Sequence, residues 1–290
     1  MRVPTETPRT WTMVPPGGTP HIADPPRRAD SGIMKWTRPW RIARLPGVLP
    51  ALTAVAALLL LVTGSERAVT AHPAHPTPST APVAHRAPRP AILPRSAWLD
   101  QATLRRQPPP RYDDRVIAVF VHHTDSPNDY DCADAPRIIR SLYSGQTGAR
   151  HWDDIGYNFL VDRCGTIYEG RAGGADRPVT GAHTMGFNHR STGIAALGTF
   201  TAGATVPTAM TDAIAALAAW KLGPSDTDPR AHVRLTSTSD LSRYHTGAPA
   251  TLPAIAGHNT VYATTCPGAA LTTTLPTIRA KAARLQGRTR

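Results

Sequence analysis

Between residues 94 and 285 the apolar positions fall alternately into short runs and spaced stripes. Residues 115–123, RVIAVFVHH, form an apolar run rich in β-branched side chains and too short for a long helix, which predicts a buried strand. Further on, Asp134 precedes Ala135-Pro136, and Ile138, Ile139, Leu142 and Tyr143 recur at helical spacing, so a helix with Asp134 as its N-cap is expected. Residues 158–162 and 166–169 flank Arg163-Cys164-Gly165 and read as a β-hairpin. A second buried strand is expected over 193–199, GIAALGT. Residues 207–222 read as a helix with Pro207 in the first turn, Met210, Ile214 and Leu217 on one face, and Gly223 past the end. Leu271, Leu275, Ile278, Ala282 and Leu285 mark a last helix, with Pro276 expected in its first turn. Residues 224–254 are polar and rich in Pro, Ser and Thr, which predicts a long surface excursion with short strands. Strands alternating with helices predict one α/β domain on a central sheet.

Upstream the pattern changes. The 18 residues from Leu45 to Val62 carry no charge, follow Lys35, Arg38, Arg41 and Arg44, and precede the small residues Val69-Thr70-Ala71. A basic, then apolar, then small-residue order is that of a secretory signal peptide, here spanning 34–71 with Met34 as its start. The alternative is a membrane anchor over 45–62, since a run of this length just spans a bilayer. Pro46, Gly47 and Pro50 shorten the helical part and favour cleavage. Residues 1–33, polar and Pro-rich, are expected to be a disordered extension. Residues 72–93 read as a semi-rigid Pro-rich linker with solvated His72, His75 and His85, and 286–290 as a short tail.

Length and composition agree. For 290 residues, one domain plus extra segments is the expectation, and 30 Pro are too many for one compact unit. The formal charge of +12 is weighted toward the N-terminal part, and Arg greatly outnumbers Lys, which reads as base composition of the genome. A basic chain attracts anionic polymers. No basic run interleaved with aromatics and no helix-turn-helix or zinc-finger spacing occurs in 94–290, so no nucleic-acid partner is expected. Three Cys exclude a disulfide-dense miniprotein and a four-Cys zinc site.

Candidate chemistry is sparse. Glu169 is the only Glu after Glu66, which excludes a pair of catalytic glutamates, and no G-x-S-x-G elbow is present. Glu169 closes a hairpin, where a structural or ion-pair role is expected. Trp152, Asp153 and Asp154 precede the next strand, and the aspartates read as turn and cap residues. His122-His123 ends the first buried strand; His258 follows another short apolar stretch, and Cys266 comes eight residues later. Two imidazoles and a thiolate form a sensible three-ligand set for zinc, with a fourth position left for water. On spacing alone, core histidines and a buried thiol remain the alternative. His123 points to the opposite side of the strand from His122 and is expected to be structural.

Five motifs stand in order: Phe120-Val-His122-His-Thr124, Asp154-Ile-Gly-Tyr157-Asn-Phe, Tyr168-Glu-Gly-Arg171, Gly181-Ala-His183-Thr, and Gly257-His258 with Cys266-Pro-Gly268. Together they resemble peptidoglycan recognition proteins and the similar phage and bacterial N-acetylmuramoyl-L-alanine amidases of the type-2 fold, over roughly residues 94–285. The resemblance implies an α/β single domain with a central mixed β-sheet flanked by helices. It implies zinc-dependent cleavage of the amide joining the lactyl group of N-acetylmuramic acid to L-alanine, with a peptidoglycan muropeptide as substrate, no stable protein partner and a monomer. It places the zinc ligands on His122, His258 and Cys266. Tyr157 would lie beside the attacking water, Thr264 near the developing oxyanion, and His183 along the peptide groove. Many relatives have Arg-Asp after the second ligand His, where this chain has Asn259-Thr260; neither is a ligand, but the pair can orient the ligand loop. With Cys266 given to zinc, Cys132 and Cys164 remain, and an exported chain permits a disulfide between them. The function expected is an exported zinc amidase, secreted or associated with the cell wall. The alternative is a non-catalytic peptidoglycan-binding module, which in this family lacks the thiolate ligand.

Overall fold

The structure is a computed structural model that describes residues 85–289. The segments read as N-terminal extension, signal peptide or anchor, and the first part of the linker lie outside the described residues.

Among the described residues, eleven strands and α-helices follow one another. They are β1 (Ile92–Leu93), β2 (Ala118–His123), α1 (Ala135–Ser144), β3 (Phe159–Val161), β4 (Ile167–Glu169), β5 (Ser191–Ala196), α2 (Thr208–Leu222), β6 (His232–Thr236), β7 (Pro249–Pro253), β8 (Ile255–Gly257) and α3 (Ala269–Leu285). Six strands form one sheet in the order β1-β4-β3-β5-β2-β8, and β6 and β7 form a separate antiparallel pair inside the long polar excursion. Within the large sheet only the β3–β4 hairpin is antiparallel. The fold is thus α/β with a central mixed sheet and flanking helices.

Alternation along β2 divides the core. Val119 and Val121 face α2 and α3 and pack with Ile194, Met210, Ile214, Leu217, Leu271 and Ile278. Ala118 and Phe120 face the other way, against Phe187, Leu235 and Leu252 of the β6–β7 side. Beside them, Trp98, Ile139, Tyr143 and Leu160 pack α1 onto the same sheet face. By the same alternation His122 falls on the Phe120 side and His123 on the helix side.

Four sequence expectations need correction. First, the N-terminal arm attaches to the domain before residue 94. Ile92 and Leu93 pair with Ile167 and Tyr168, Ala87 packs on the core, and Arg89 lies 3.2 Å from Asp176 and over the Trp220 ring. His85 is not solvated linker; its Nδ1 is 3.1 Å from Asp226. Proline-rich chain cannot build a core, but it can supply a short edge strand where missing N–H groups face outward. Second, Asp131, not Asp134, does the capping: its carboxylate accepts from Ala133 N at 2.9 Å. Asp134 already has helical dihedrals, because a 3-10 turn over Cys132–Asp134 leads into α1, whereas a cap residue needs extended backbone such as that of Asp131. Third, α3 starts at Ala269, so Pro276 lies two turns inside it. The entry is fixed upstream, where Ala270 N donates to Phe200 O and Gly268 (φ +92°) passes so close to that carbonyl that any Cβ would collide. Fourth, the tail is anchored: Gln286 is buried and donates to Ala219 O, and Arg288 pairs with Asp226.

Cys132 and Cys164 form a disulfide that ties the turn before α1 to the tip of the β3–β4 hairpin. It spans 32 residues, which corresponds to roughly 3–4 kcal/mol in the chain-entropy model. Cys132→Ala/Cys164→Ala is expected to lower unfolding free energy by about that amount. Chemical denaturation of the two proteins measures it, and thiol labelling of the native protein without reductant should leave both cysteines unmodified.

Candidate active site and metal centre

Two adjacent parallel strands build the floor of the site. β8 runs beside β2 with Gly257 opposite Val121, so the residues that follow each partner, His258 and His122, emerge side by side at the carboxyl ends. Their ring centroids are 4.6 Å apart. The chain then loops and returns: Asn259 N donates to Cys266 O at 2.9 Å, and His123 N donates to Cys266 Sγ at 3.3 Å. Gly257 permits this return, since a Cβ there would come within 2.7 Å of Asn259 Oδ1 and 2.9 Å of Pro267 Cδ.

One donor atom from each of His122, His258 and Cys266 lies within 4.8 Å of the others; this is the one such His/Cys/Asp/Glu group found among the described residues. His122 Nδ1 and Cys266 Sγ are 3.7 Å apart. Tetrahedral zinc, with bonds of about 2.3 Å to sulfur and 2.0–2.1 Å to nitrogen, separates its donors by roughly 3.3–3.6 Å, close to the His122–Cys266 spacing. His258 Nε2 is buried without a hydrogen-bond partner, a state that costs free energy unless a ligand satisfies it. Burial pushes His122 well below the usual imidazole range, with His183 and His258 adding to the effect. Burial likewise lowers His258 to about 4 and His183 to about 3. All three rings are therefore neutral at pH 7, the form that ligates metals. Burial raises the Cys266 thiol to about 12, against the opposing N–H of His123. A cation would be needed to hold it as thiolate.

Tyr157 stands before β3 with its ring centroid 5.2 Å from that of His122. Burial raises its phenol, so it keeps its proton at neutral pH. The loop carrying it is held by Asp154, whose buried carboxylate accepts from Arg95, Ile155 N and Ala172 N. His183 touches His122 directly, Nδ1 to Nε2 at 3.2 Å, and also forms part of the cleft wall. Thr264 is not on that wall; its Oγ1 accepts from Cys266 N at 3.2 Å. Glu169 is elsewhere, accepting from Gly174 N. His123 keeps its side chain on the opposite face, with Nδ1 buried and unpartnered.

Above the floor lies a cleft of about 640 Å³ bordered by Trp152, Tyr157, Arg171, His183, His258 and Tyr262. A second hollow of about 280 Å³ lies next to it and shares Asp153, Arg171, Ala182 and Asn188 with it. Several of these residues carried no signal in the sequence. Tyr262 stacks on His258 at 5.3 Å with planes 12° apart. Arg243, from the polar excursion, donates to the carbonyls of Asn259 and Tyr262 and so braces the loop between His258 and Cys266, where this chain has Asn259-Thr260. Trp152 and Met185 are 38% and 43% exposed at the rim, which only a surface could reveal.

Comparison with known proteins gives a consistent result. The family model described as N-acetylmuramoyl-L-alanine amidase matches residues 112–269, more than half of the chain. Peptidoglycan-recognition protein LE of Drosophila melanogaster is 37% identical over 110 residues, which is 38% of this chain and 30% of that protein. N-acetylmuramoyl-L-alanine amidase of Homo sapiens is 37% identical over 116 residues, 39% of this chain and 19% of that protein. The chain thus spans less than a third of the length of these curated relatives. Among solved structures, bumblebee PGRP-SA matches with a TM-score of 0.50 and 26% identity, covering 65% of this chain and 95% of that one. Peptidoglycan recognition protein-LE in complex with tracheal cytotoxin, a monomeric diaminopimelic acid-type peptidoglycan, matches with a TM-score of 0.50 and 28% identity, covering 64% and 93%. With the ordered motifs and the mixed-sheet fold, the match over residues 112–269 establishes that the chain belongs to the N-acetylmuramoyl-L-alanine amidase family.

Proposed function

We propose that this chain is an exported zinc-dependent peptidoglycan amidase that cleaves the bond between the lactyl group of N-acetylmuramic acid and L-alanine. The observation that carries this reading is the convergence of His122, His258 and Cys266 under an open cleft, with the thiol present. These three residues would hold zinc, which when bound supplies Lewis acidity to polarise the amide carbonyl and activate water. Tyr157 Oη, protonated at neutral pH, orients the attacking water and donates to the tetrahedral species. Thr264 is not part of the cleft wall, but its Oγ1 accepts from Cys266 N beside the three-residue set, and its own proton is free, so the proposal assigns it donation to an oxyanion that develops at the Cys266 end of the cleft. Water adds to the carbonyl carbon, forming the C–O bond of the tetrahedral species; the C–N bond then breaks and the amine leaves with a proton that came from that water, giving a lactyl carboxylate and a free L-alanine amino group. Arg150 and Arg171 in the cleft wall suit a peptide that carries free carboxylates. The relative crystallised with tracheal cytotoxin supports a muropeptide as the ligand class. Export through residues 34–71 places the chain where its substrate is and where a disulfide persists.

Mass spectrometry of the form released into culture medium tests both parts. The expected amino terminus lies near His72, and incubation with muropeptides is expected to yield sugar without peptide and peptide with a free alanine amine. Retention of residues 45–62 in membranes would mean an anchor. Tight binding of muropeptides with no cleavage in the zinc-loaded protein would favour the binding module.

A further inference from the structure

A chain of buried polar groups behind His122 fixes where a proton sits. Ser191, at the start of β5, has its hydroxyl 2.6 Å from the carbonyl oxygen of Phe187. A carbonyl only accepts, so the hydroxyl proton points at Phe187 and its lone pairs face away. His183 Nε2 is 3.4 Å from that hydroxyl oxygen, so this nitrogen carries the ring proton and Nδ1 of the same neutral ring is an acceptor. Nδ1 in turn is 3.2 Å from His122 Nε2, which must then carry the proton of its own ring. His122 Nδ1 is left with its lone pair, and it is this atom that lies 3.7 Å from Cys266 Sγ.

We propose that Ser191 and His183 are positioning residues: together they lock His122 as the Nε2–H tautomer and so present Nδ1 to the metal. The proposal rests on the zinc reading of the site. A free imidazole exchanges between tautomers, and the wrong one would aim an N–H at the metal. Geometry holds the relay still. A Cβ on Gly193 would come within 2.4 Å of His183 Cγ, and one on Gly181 within 2.4 Å of Cδ2, so two glycines form a slot for the ring. Asn188 Oδ1 accepts from His183 N at 2.8 Å and Thr184 N at 3.0 Å and fixes the backbone. His122, His183 and Ser191 are all buried, so each ring nitrogen and the hydroxyl depend on these protein partners.

Long-range proton–nitrogen spectra of the imidazoles, recorded on the full chain with and without zinc, read the tautomers directly. The expected result is a proton on Nε2 of both His122 and His183 in either state. Chelator competition then measures zinc affinity. His183→Phe removes the acceptor and is expected to weaken zinc binding by about 10–100-fold. His183→Gln, which restores a carbonyl acceptor, should recover part of it. Ser191→Ala should release His183 into both tautomers and weaken zinc several-fold; it is the mildest change and decides the matter should His183→Phe not fold. A proton on His122 Nδ1 in the zinc-free chain would overturn the proposal, as would zinc affinity within about twofold of the parent in Ser191→Ala and His183→Phe. Failure of the amidase reading looks different: the parent then neither cleaves muropeptide nor binds zinc, while the tautomer spectra still report on the relay.

Discussion

Cys266→Ser is expected to abolish muropeptide cleavage and to strip the chain of zinc under mild chelation. On the proposed reading, the Cys266 thiolate would be both a zinc ligand and the negative charge of the three-residue set. A serine hydroxyl stays protonated near neutral pH, so the variant offers two neutral imidazoles and a weak oxygen donor, and a catalytic zinc with two protein ligands is poorly held. Turnover should fall by more than about 10³-fold, because on the proposed reading the Lewis acid would be lost together with this ligand. The fold should survive, since Ser Oγ can still accept from His123 N and the loop remains pinned by the Asn259–Cys266 backbone bond. Muropeptide affinity should change little, as the cleft walls that include Trp152, Arg171 and Tyr262 are untouched. Zinc content, turnover and ligand affinity on one preparation separate the three effects. Full zinc stoichiometry with turnover close to the parent would show that the ligand set is wrongly assigned.

Tyr157→Phe is expected to separate chemistry from binding. The ring packs 5.2 Å from His122, and phenylalanine keeps that packing while removing only the hydroxyl. Losing a hydrogen bond or proton-transfer partner in the transition state costs about 10²–10⁴-fold in rate. Zinc content should be unchanged, because the hydroxyl is not among the donors. Affinity for an uncleaved muropeptide should also hold, since the interaction matters mainly in the transition state. Turnover within a few fold of the parent would make Tyr157 a packing residue, and loss of zinc would make it a support of the metal site.

Much of this molecule is determined by local pattern. The apolar run ending at His122-His123 dictates a strand, strict alternation along that strand sends the two imidazoles to opposite faces, and the spacing of Met210, Ile214 and Leu217 dictates the face of α2. The order of the five motifs was likewise enough to identify the family. Such features depend on near neighbours in sequence and are therefore written there.

What only the tertiary structure decided depends on contacts that local pattern does not encode. Residues 85–93 look like linker by composition, and their attachment depends on a free backbone edge at β4, 75 residues away in the Ile92–Ile167 pairing. The start of α3 is set by the approach of Phe200, not by its own propensities. Arg243 supports the loop between His258 and Cys266 from an excursion whose composition says only that it is polar. His183 reads from its motif as a groove residue, yet its position against His122 and Ser191 gives it a second partner that sequence spacing cannot express. In each case the deciding quantity is a hydrogen bond or close approach between segments far apart in the chain. Periodicity fixes which face a side chain takes, and only the packed fold fixes what that face meets.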